Sequence, residues 1–382
     1  MQIQVEHADD LQSLQEKMTG DRFDFVALHG DFAVLARAGR PLPPGRNLHG
    51  STSCLGAMTQ AGPTDGVAAF AISDPDGAYG TALEAFRGDP AQASRRAVTA
   101  ALAAADRLGE RPDLVWVSAT PGHEEEVLEG IEAVVGPDVP IIGGSAADNA
   151  VAGDWFVFTN TDGPTGDGVA VSVLFPSKRV SFAYQNGYSP TAPRGIVTRA
   201  SGRRLHEIDG RPALDVYSEW TGGAVSGPGP DETETAILSQ STFWPLGREV
   251  TQLGEVPFYL LAHPAVARAD GSIDLFASVE TGEELTLMHG SADSLTARAG
   301  RVAGLARAAG RLDATPISGA LMIYCGGCML SVRDPLDEVV AGVNASLDGA
   351  PFLGAFTFGE QGALVKAGNR HGNLMISCII FE

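Results

Sequence analysis

A pattern of helix and strand signals that occurs twice constrains the fold of this chain more than any other feature of its sequence. Each copy contains an Ala-rich helix, an apolar strand, a second helix and a short strand that leads into a glycine turn. The first copy is predicted at residues 97–108, 114–118, 124–135 and 140–144, and the second at 295–309, 320–325, 336–347 and 351–354. Matched elements in the same order indicate a duplicated α/β unit.

The two strands of each copy are predicted to be parallel neighbours, because the segment between them is long enough for a right-handed crossover. Alternating stretches at 168–175, 180–184 and 374–381 predict antiparallel strands beside them. The sequence therefore predicts an α/β protein of two similar domains, each a mixed sheet with packed helices.

The domain boundary is expected near residues 211–215, which divides the chain into domains at 1–213 and 214–382. The segment that follows, residues 221–233, is rich in glycine and proline and more polar than its surroundings. Such a composition is typical of a surface loop or linker.

The 382 residues carry a formal net charge of −21, from 26 basic and 47 acidic side chains. So acidic a surface repels nucleic acid and anionic lipid, which argues against either as a partner. No stretch reaches the roughly 18 apolar residues that a membrane helix needs, and the N-terminus shows no secretory signal. Four cysteines do not form a disulfide framework in so long a chain. We therefore expect a cytoplasmic protein with reduced thiols and no membrane insertion.

The first glycine turn, at residues 141–149, is the first candidate binding segment. A phosphate-binding fingerprint requires G-x-G-x-x-G running into a helix, and the spacing here differs. Two interpretations remain: a polar loop at a strand end, where α/β sheets bind ligands, and a turn that satisfies its own backbone. Ser145, Asp148 and Asn149 are the hydrogen-bonding side chains that this loop offers.

Cys325 and Cys328 form a C-x-x-C pair after the apolar strand of the second copy. Redox motifs of this type place the first cysteine at a helix N-terminus, whereas the next helix signal here comes only at residue 334. Zinc requires about four ligands, and Cys54 and Cys378 stand alone. The pattern therefore favours neither a redox motif nor a zinc site, and Cys325 is expected beside a site loop or simply buried.

Three histidines occur in contexts that can indicate metal binding or acid–base chemistry. His123 precedes three glutamates but lacks the second histidine of an H-E-x-x-H motif, so the acidic run is interpreted as complementing a helix dipole. His289 and His371 are candidates for acid–base chemistry or for ligation of a haem iron, although a lone histidine is more often structural. No catalytic constellation emerges from these motifs.

Four stretches together resemble a known family: IGGSAADN (142–149), LMIYC (321–325), PFLGAFTFGEQ (351–361) and NRHGNLMISCIIF (369–381). They resemble the FIST family, whose members carry a FIST N and a FIST C domain. In the FIST C domain a strand that ends in Cys is followed by Gly-Phe-x-x-x-Gly-Glu and by a turn that contains His and Asn. This chain keeps Gly359-Glu360 but has Gly-Gly-Cys where the family often has an Arg, which implies a different ligand chemistry.

The resemblance implies an intracellular sensory protein that binds a small ligand, with amino acids or related metabolites as the ligand class, and that acts on a separate signalling protein. We expect a binding protein rather than an enzyme, with no resident metal or cofactor. The ligand is expected where the loops after the repeated strands converge, at Ser145, Asp148, Asn149, Cys325, Glu360, Gln361 and His371. Glu360 would suit an ammonium group, and Asn149 or Gln361 a carboxylate or amide.

Two alternatives remain open. The first is a haem-binding sensor of nitric oxide or redox state, with His371, His289 or Cys325 as axial ligand. The second is an enzyme in which Cys325 is the nucleophile and His371 the base.

Overall fold

The computed structural model describes residues 1–19, 22–37, 42–312, 315–364 and 366–382. It confirms the predicted α/β class, with several mixed sheets and packed helices. Across these residues no helix is both long enough and apolar enough to cross a membrane.

The strands follow one another along the described chain, and their bounds are Gln2–Ala8 (β1), Phe23–Gly30 (β2), Gly45–Thr52 (β3), Ala57–Thr59 (β4), Gly62–Thr64 (β5), Val67–Ser73 (β6), Ala78–Ala85 (β7), Leu114–Ala119 (β8), Ile141–Ser145 (β9), Val157–Thr159 (β10), Gly168–Phe175 (β11), Val180–Gln185 (β12), Ser189–Ser201 (β13), Arg204–Ile208 (β14), Arg211–Pro212 (β15), Glu234–Ala236 (β16), Leu246–Leu253 (β17), Val256–Ala262 (β18), Pro264–Arg268 (β19), Ile273–Leu275 (β20), Glu284–His289 (β21), Gly319–Cys325 (β22), Phe352–Thr357 (β23), Glu360–Leu364 (β24), Gly368–Gly372 (β25) and Ile376–Phe381 (β26).

The helices of the described residues are Leu11–Lys17 (α1), Phe32–Leu35 (α2), Pro90–Ala104 (α3), Glu124–Val135 (α4), Ala213–Trp220 (α5), Leu238–Ser241 (α6), Ala292–Thr296 (α7), Arg298–Ala309 (α8), Gly326–Ser331 (α9) and Leu336–Ser346 (α10).

The two strand–helix–strand units that the sequence predicts lie in two six-stranded sheets with the same strand order. One sheet runs β25-β24-β9-β8-β11-β7 and the other β5-β4-β23-β22-β26-β12. In each, the central pair is parallel (β8 with β9, β22 with β23), as the crossover predicts, and the other pairs are antiparallel. The outer hairpin of each sheet comes from the other half of the chain: β24–β25 completes the first sheet, and β4–β5 completes the second.

A third sheet, β1-β6-β2-β3-β10, packs against both six-stranded sheets. Successive side chains of a strand point to opposite faces of its sheet, so β8 and β22 each contribute side chains to two separate cores. Trp116 and Ile323 enter the central core that all three sheets share. Their neighbours Val117 and Tyr324 instead enter the outer cores, where helices cover the sheets. Each six-stranded sheet is therefore buried on both faces.

A nine-stranded antiparallel sheet between residues 189 and 289, with α5 on its core, was not predicted. The pairings of β13, β17 and β19 carry register shifts, which weaken the two-residue periodicity that reveals a strand. Segment 221–233, predicted as a loop, is mostly exposed and lies between α5 and β16.

One local prediction was wrong. The sequence pattern predicts no helix directly after Cys325, yet α9 begins at Gly326. Two adjacent glycines disfavour a helix by about 1 kcal/mol each. Burial of Cys328 and Met329 in the core stabilises this turn despite that cost.

A pair of buried histidines lies beside the central core. Neither ring nitrogen of His29 has a hydrogen-bond partner, and the ring packs edge-on against Trp116 with centroids 6.0 Å apart. His49 lies near the same indole and shares a hydrogen bond with Ser172. Burial lowers the pKa of His29 from 6.5 to about 4. The native state therefore keeps His29 neutral at pH values where the unfolded chain protonates it.

This arrangement predicts a loss of stability in mild acid. Because the folded pKa of His29 lies below its unfolded value, the free energy of unfolding should fall as pH drops from about 6.5 to about 4, by up to roughly 3 kcal/mol for this residue. Chemical denaturation of His29→Leu should show a shallower pH dependence than wild type. The exposed His123, changed to Gln, is the control, and equal slopes for wild type and His29→Leu would contradict the prediction.

Candidate functional site

A cavity with mainly apolar walls opens at the edge of the second six-stranded sheet where β22 and β23 end. Because these strands are parallel, their carboxyl ends meet at one edge, the usual place for ligands in α/β sheets. The cavity, called here the Cys325 pocket, has a volume of about 270 Å³. It is lined by Val151, Leu238, Ser239, Thr242, His263, Phe276, Cys325, Gly327, Leu330, Ser331, Thr357, Phe358 and Asn373.

The residues described around this pocket offer apolar surface and neutral polar groups. Leu238, Phe276 and Phe358 supply apolar walls, while the polar groups are hydroxyls, one amide, one imidazole and one thiol. No Asp, Glu, Lys or Arg is among these described lining residues. Desolvating a charged ligand group here would therefore lack compensation by an opposite charge.

Asn373 gives the pocket a defined hydrogen-bonding position. Its Oδ1 accepts the backbone N–H of His263 at 3.1 Å, and its own N–H donates to Leu261 O at 3.0 Å. These two bonds fix the amide, yet its Nδ2 has no partner although the residue is only 2% exposed. An unpaired buried donor costs about 1–3 kcal/mol, so a ligand acceptor placed here would recover that cost.

His263 adds an acceptor to the same wall. Its Nε2 lies 3.2 Å from the carbonyl oxygen of Leu238, to which it donates. Burial lowers the pKa of His263 to about 4, even though the Leu238 bond opposes the shift. The ring is thus neutral near pH 7, and its Nδ1 carries a lone pair.

Cys325 is the one predicted site residue that lines this pocket. Its hydrogen bond to Cys328 and its burial raise the pKa of the thiol well above the usual range. The thiol therefore stays protonated near neutral pH.

Glu360 lies behind the pocket wall. Its carboxyl accepts hydrogen bonds from the Thr357 hydroxyl at 3.0 Å and from the Met375 N–H at 2.9 Å. Burial and the nearby Cys325 raise the pKa of this carboxyl well above its usual range, which favours the neutral form. A neutral carboxyl bonded within the protein is not placed to pair with an ammonium group.

Three further predicted residues meet in a buried polar cluster on the first sheet. Gln361 Nε2 lies 3.4 Å from both Ser145 Oγ and His371 Nδ1, and His371 Nε2 lies 3.2 Å from the carbonyl oxygen of Phe276. Gln361 and Glu360 separate because neighbouring residues of a strand point to opposite faces. The position of Gly359 explains the tight fit, because a Cβ there would come within 2.7 Å of the His371 ring.

An ion pair completes this cluster. Ser145 Oγ donates to Glu124 at 2.6 Å, and Arg203 Nη2 lies 2.5 Å from Glu124 and 2.6 Å from Glu125. Burial alone would raise the pKa of Glu124, but the charges of His371 and Arg203 and the Ser145 bond lower it overall. Glu124 is thus ionised and paired inside the protein.

The carboxylates of Glu124 and Glu125 and the imidazole of His371 form a possible metal-ligand group, with ligand atoms within 4.8 Å of one another. Arg203 already bridges the two carboxylates at hydrogen-bond distance. A metal ion would have to displace this guanidinium, so the arrangement fits a structural ion pair better than a metal centre.

Asp148 and Asn149 hold a loop rather than facing the pocket. Asp148 is 2% exposed and accepts the backbone N–H groups of residues 150–154. The exposed Asn149 donates to Asp31 at 2.6 Å and accepts from the Leu55 N–H at 2.7 Å. This is the self-satisfying turn that the sequence left open, and it positions Val151 at the pocket.

The residues proposed as haem ligands lie in different surroundings. Both nitrogens of His371 face protein partners, and His289 lies exposed against Trp244 with ring centroids 4.3 Å apart. Cys325 lines the pocket of about 270 Å³, close to the lower limit of about 300 Å³ for ligand sites, which suits a molecule smaller than haem. His371 also makes no hydrogen bond to Cys325 among its described contacts, as a nucleophile–base pair would require.

Sequence reasoning missed Arg203, His263, Thr357 and Asn373. Arg203 lies in the turn between β13 and β14 of the unpredicted antiparallel sheet, and His263 lies between β18 and β19 of the same sheet. Asn373 carried a signal, because it belongs to the His- and Asn-containing turn before the last strand. The acidic start of α4 was interpreted only as a dipole partner, whereas it also pairs with Arg203.

The cluster predicts that loss of the buried ion pair of Arg203 destabilises the protein more than loss of an exposed ion pair. Arg203→Met leaves the buried Glu124 unpaired and should lower the free energy of unfolding by about 3 kcal/mol near pH 7. Because protonation removes the Glu124 charge, this loss should shrink as the pH is lowered. Urea denaturation near neutral pH and in acid measures it. Arg199→Met removes an exposed pair with Glu207 as a control, expected to cost less than about 1 kcal/mol, and equal losses for the two variants would contradict the prediction.

Sequence comparisons place this chain among uncharacterised relatives. It is 25% identical over 236 residues to an uncharacterized protein of Mycobacterium tuberculosis, and 27% identical over 236 residues to one of Mycobacterium bovis. Each match covers 62% of this chain and 59% of the relative, so the chain spans about three fifths of their length. An uncharacterized protein of Methanocaldococcus jannaschii is 33% identical over 104 residues, 26% of this chain and 19% of that protein.

Among solved structures, PurLQS from Thermotoga maritima aligns with 80% of this chain and 72% of that chain, at 8% identity and a TM-score of 0.23. So low a score supports no structural argument. Family models give a clear result: the FIST N domain matches residues 24–211 and the FIST C domain residues 213–363, nearly the whole chain. The chain therefore belongs to the FIST family, as its sequence motifs predicted.

Proposed function

We propose that this protein is a sensor that binds one small molecule in the Cys325 pocket and reports it to a separate signalling protein. FIST domains are associated with sensing in signal transduction. The observation that carries the proposal is the buried, unpartnered Nδ2 of Asn373 at the wall of a cavity of about 270 Å³. A donor held by two backbone bonds and left without a partner is suited to a ligand acceptor.

The pocket chemistry narrows the ligand class. Apolar walls and the absence of charged side chains among the described lining residues favour a small neutral molecule with a carbonyl or amide oxygen. A free amino acid, the class implied by the family resemblance, would bury two charges without opposite partners. We therefore favour a neutral metabolite, whose oxygen accepts from Asn373 and whose donor group meets the Nδ1 of His263.

Ligand binding can alter the protein surface through three short segments that line the pocket. They are the loop at Val151, helix α6 and helix α9. Leu330 of α9 lines the pocket and is also 51% exposed. A ligand that orders α9 would therefore alter an apolar surface that a signalling partner can contact.

The proposed function predicts that the protein binds a small molecule that can be detected by mass. Native mass spectrometry of freshly purified protein should show an added mass of metabolite size, and the absorption spectrum of the same sample should show no visible band. Asn373→Asp keeps the acceptor for the His263 N–H but removes the Nδ2 donor. We expect it to bind the molecule about 5- to 150-fold more weakly, as for a lost hydrogen bond of about 1–3 kcal/mol.

A Soret band together with the mass of haem would overturn the proposal in favour of the haem sensor. If the protein is purified without a ligand, thermal-shift screens of neutral amides and of free amino acids separate the two ligand classes. Stabilisation by amino acids alone would contradict the neutral-ligand assignment.

A second variant tests the pocket without altering a polar group. A Cβ on Gly327 would lie 3.7 Å from both Cys325 Sγ and the His263 ring, in ordinary contact, so Gly327→Ala fits the fold and occupies pocket space. Ligand binding should weaken, while folding stability stays equal or rises by up to about 1 kcal/mol from helix propensity. Gly304→Ala on α8, whose Cβ would meet only Ser346 at 3.9 Å, is the matched control. Unchanged affinity in Gly327→Ala would place the ligand elsewhere.

A further inference from the structure

Two cysteines three residues apart lie at the start of α9, beside the Cys325 pocket. Cys325 is the N-cap of α9 and Cys328 is its third residue, a spacing at which the cap side chain meets the third residue of a helix. Both side chains pack in the same hydrophobic core. Disulfide formation therefore requires side-chain rotation that brings the sulfur atoms to about 2.05 Å, without a long backbone movement.

The two thiols differ in access. Cys325 lines the pocket and is 5% exposed, whereas Cys328 is fully buried. Gly327 lies between them and places no side chain over the Cys325 sulfur. A small reagent in the pocket can therefore reach Cys325 first, and only Cys325 can then reach Cys328.

Two polar side chains lie near Cys328. The Tyr188 hydroxyl lies 3.5 Å from Cys328 Sγ. Arg298, only 2% exposed, carries a guanidinium whose Nε and Nη1 have no hydrogen-bond partner; burial lowers the pKa of Arg298, and its attraction to Cys328 opposes that shift. A buried cation beside a sulfur stabilises the charge that develops during thiol–disulfide exchange.

We infer that Cys325 and Cys328 are a reversible thiol–disulfide site, oxidised by small organic disulfides that enter through the Cys325 pocket. This property is independent of the proposed ligand, since it requires only that the pocket admit the reagent. It also revises the sequence interpretation, which set a redox motif aside because no helix was predicted after Cys325.

The reaction conserves atoms and electrons. The Cys325 thiol loses its proton, and its sulfur attacks one sulfur of the reagent, RSSR, which forms a mixed disulfide and releases RSH. Cys328 then loses its proton and attacks the Cys325 sulfur, which forms the Cys325–Cys328 bond and releases the second RSH. The dithiol loses two electrons and two protons, and one RSSR becomes two RSH. The high pKa of Cys325 makes the first step slow near neutral pH.

The test uses the full chain and 2-hydroxyethyl disulfide as the probe. The four cysteines are free thiols. We expect wild type to lose two titratable thiols, with peptide mapping that shows a Cys325–Cys328 link and recovery of both thiols after reduction. Cys328→Ser should stop at a mixed disulfide on Cys325, and Cys325→Ser should lose no thiol on the same time scale. Cys378→Ser, which removes a buried thiol on the β26 strand, should form the link at the wild-type rate.

Three outcomes would overturn the inference: a mixed disulfide on wild-type Cys325 that persists unresolved, a link that joins Cys325 to the neighbouring Cys54, or the absence of any thiol loss in wild type. Peptide mapping of wild type needs no variant, so these results stand even if a substituted protein folds poorly. If the oxidation experiment fails, the ligand measurements with Asn373→Asp still test the proposed function. If no ligand binds, the thiol count still tests the disulfide inference.

Discussion

The exchange of two hairpins between the halves of the chain is the constraint on which the rest of the structure depends. The hairpin β24–β25 pairs with β9, and the hairpin β4–β5 pairs with β23. Each hairpin covers an edge of a parallel strand pair whose backbone groups would otherwise lie unpaired. Neither six-stranded sheet is complete without residues from the other half, and the central core contains side chains from both. Folding of the two halves is therefore expected to be cooperative.

The same exchange determines where the polar residues meet. It brings Gln361 and His371 beside Ser145, more than 200 residues away in the chain, and it places Glu360 on the opposite face. The result is two distinct environments. The cluster around Glu124 is densely paired and ionic, which suits a structural role. The Cys325 pocket is apolar and neutral, with one unpaired donor, and such a site gains most from a bound molecule.

The pocket contains both hydrogen-bonding groups and a thiol. Asn373 and His263 offer hydrogen bonds to a ligand, whereas Cys325 offers a thiol that stays protonated and is backed by Cys328. The proposed metabolite and the proposed thiol–disulfide reagent would therefore enter through the same opening. Binding of the metabolite depends on hydrogen-bond complementarity, and reaction with the reagent depends on the approach of two sulfur atoms.

The sequence by itself determined the class of the fold and predicted two strand–helix–strand units, because both depend on local periodicity and on the positions of proline and glycine. Its short motifs indicated the family. Helix α4 has the bounds predicted for it, as do strand β11 and the strand before Cys325 to within one residue. It also identified Cys325, and it recognised the turn that contains Asn373. The sequence could not predict helix α9, because burial of Cys328 and Met329 overrides the propensity of two glycines. Only the tertiary structure decided that Arg203 pairs with Glu124, that Glu360 lies behind the pocket, and that Asn373 keeps a donor free. Those outcomes depend on strand register and on contacts between residues far apart in the chain, which local sequence patterns do not reveal.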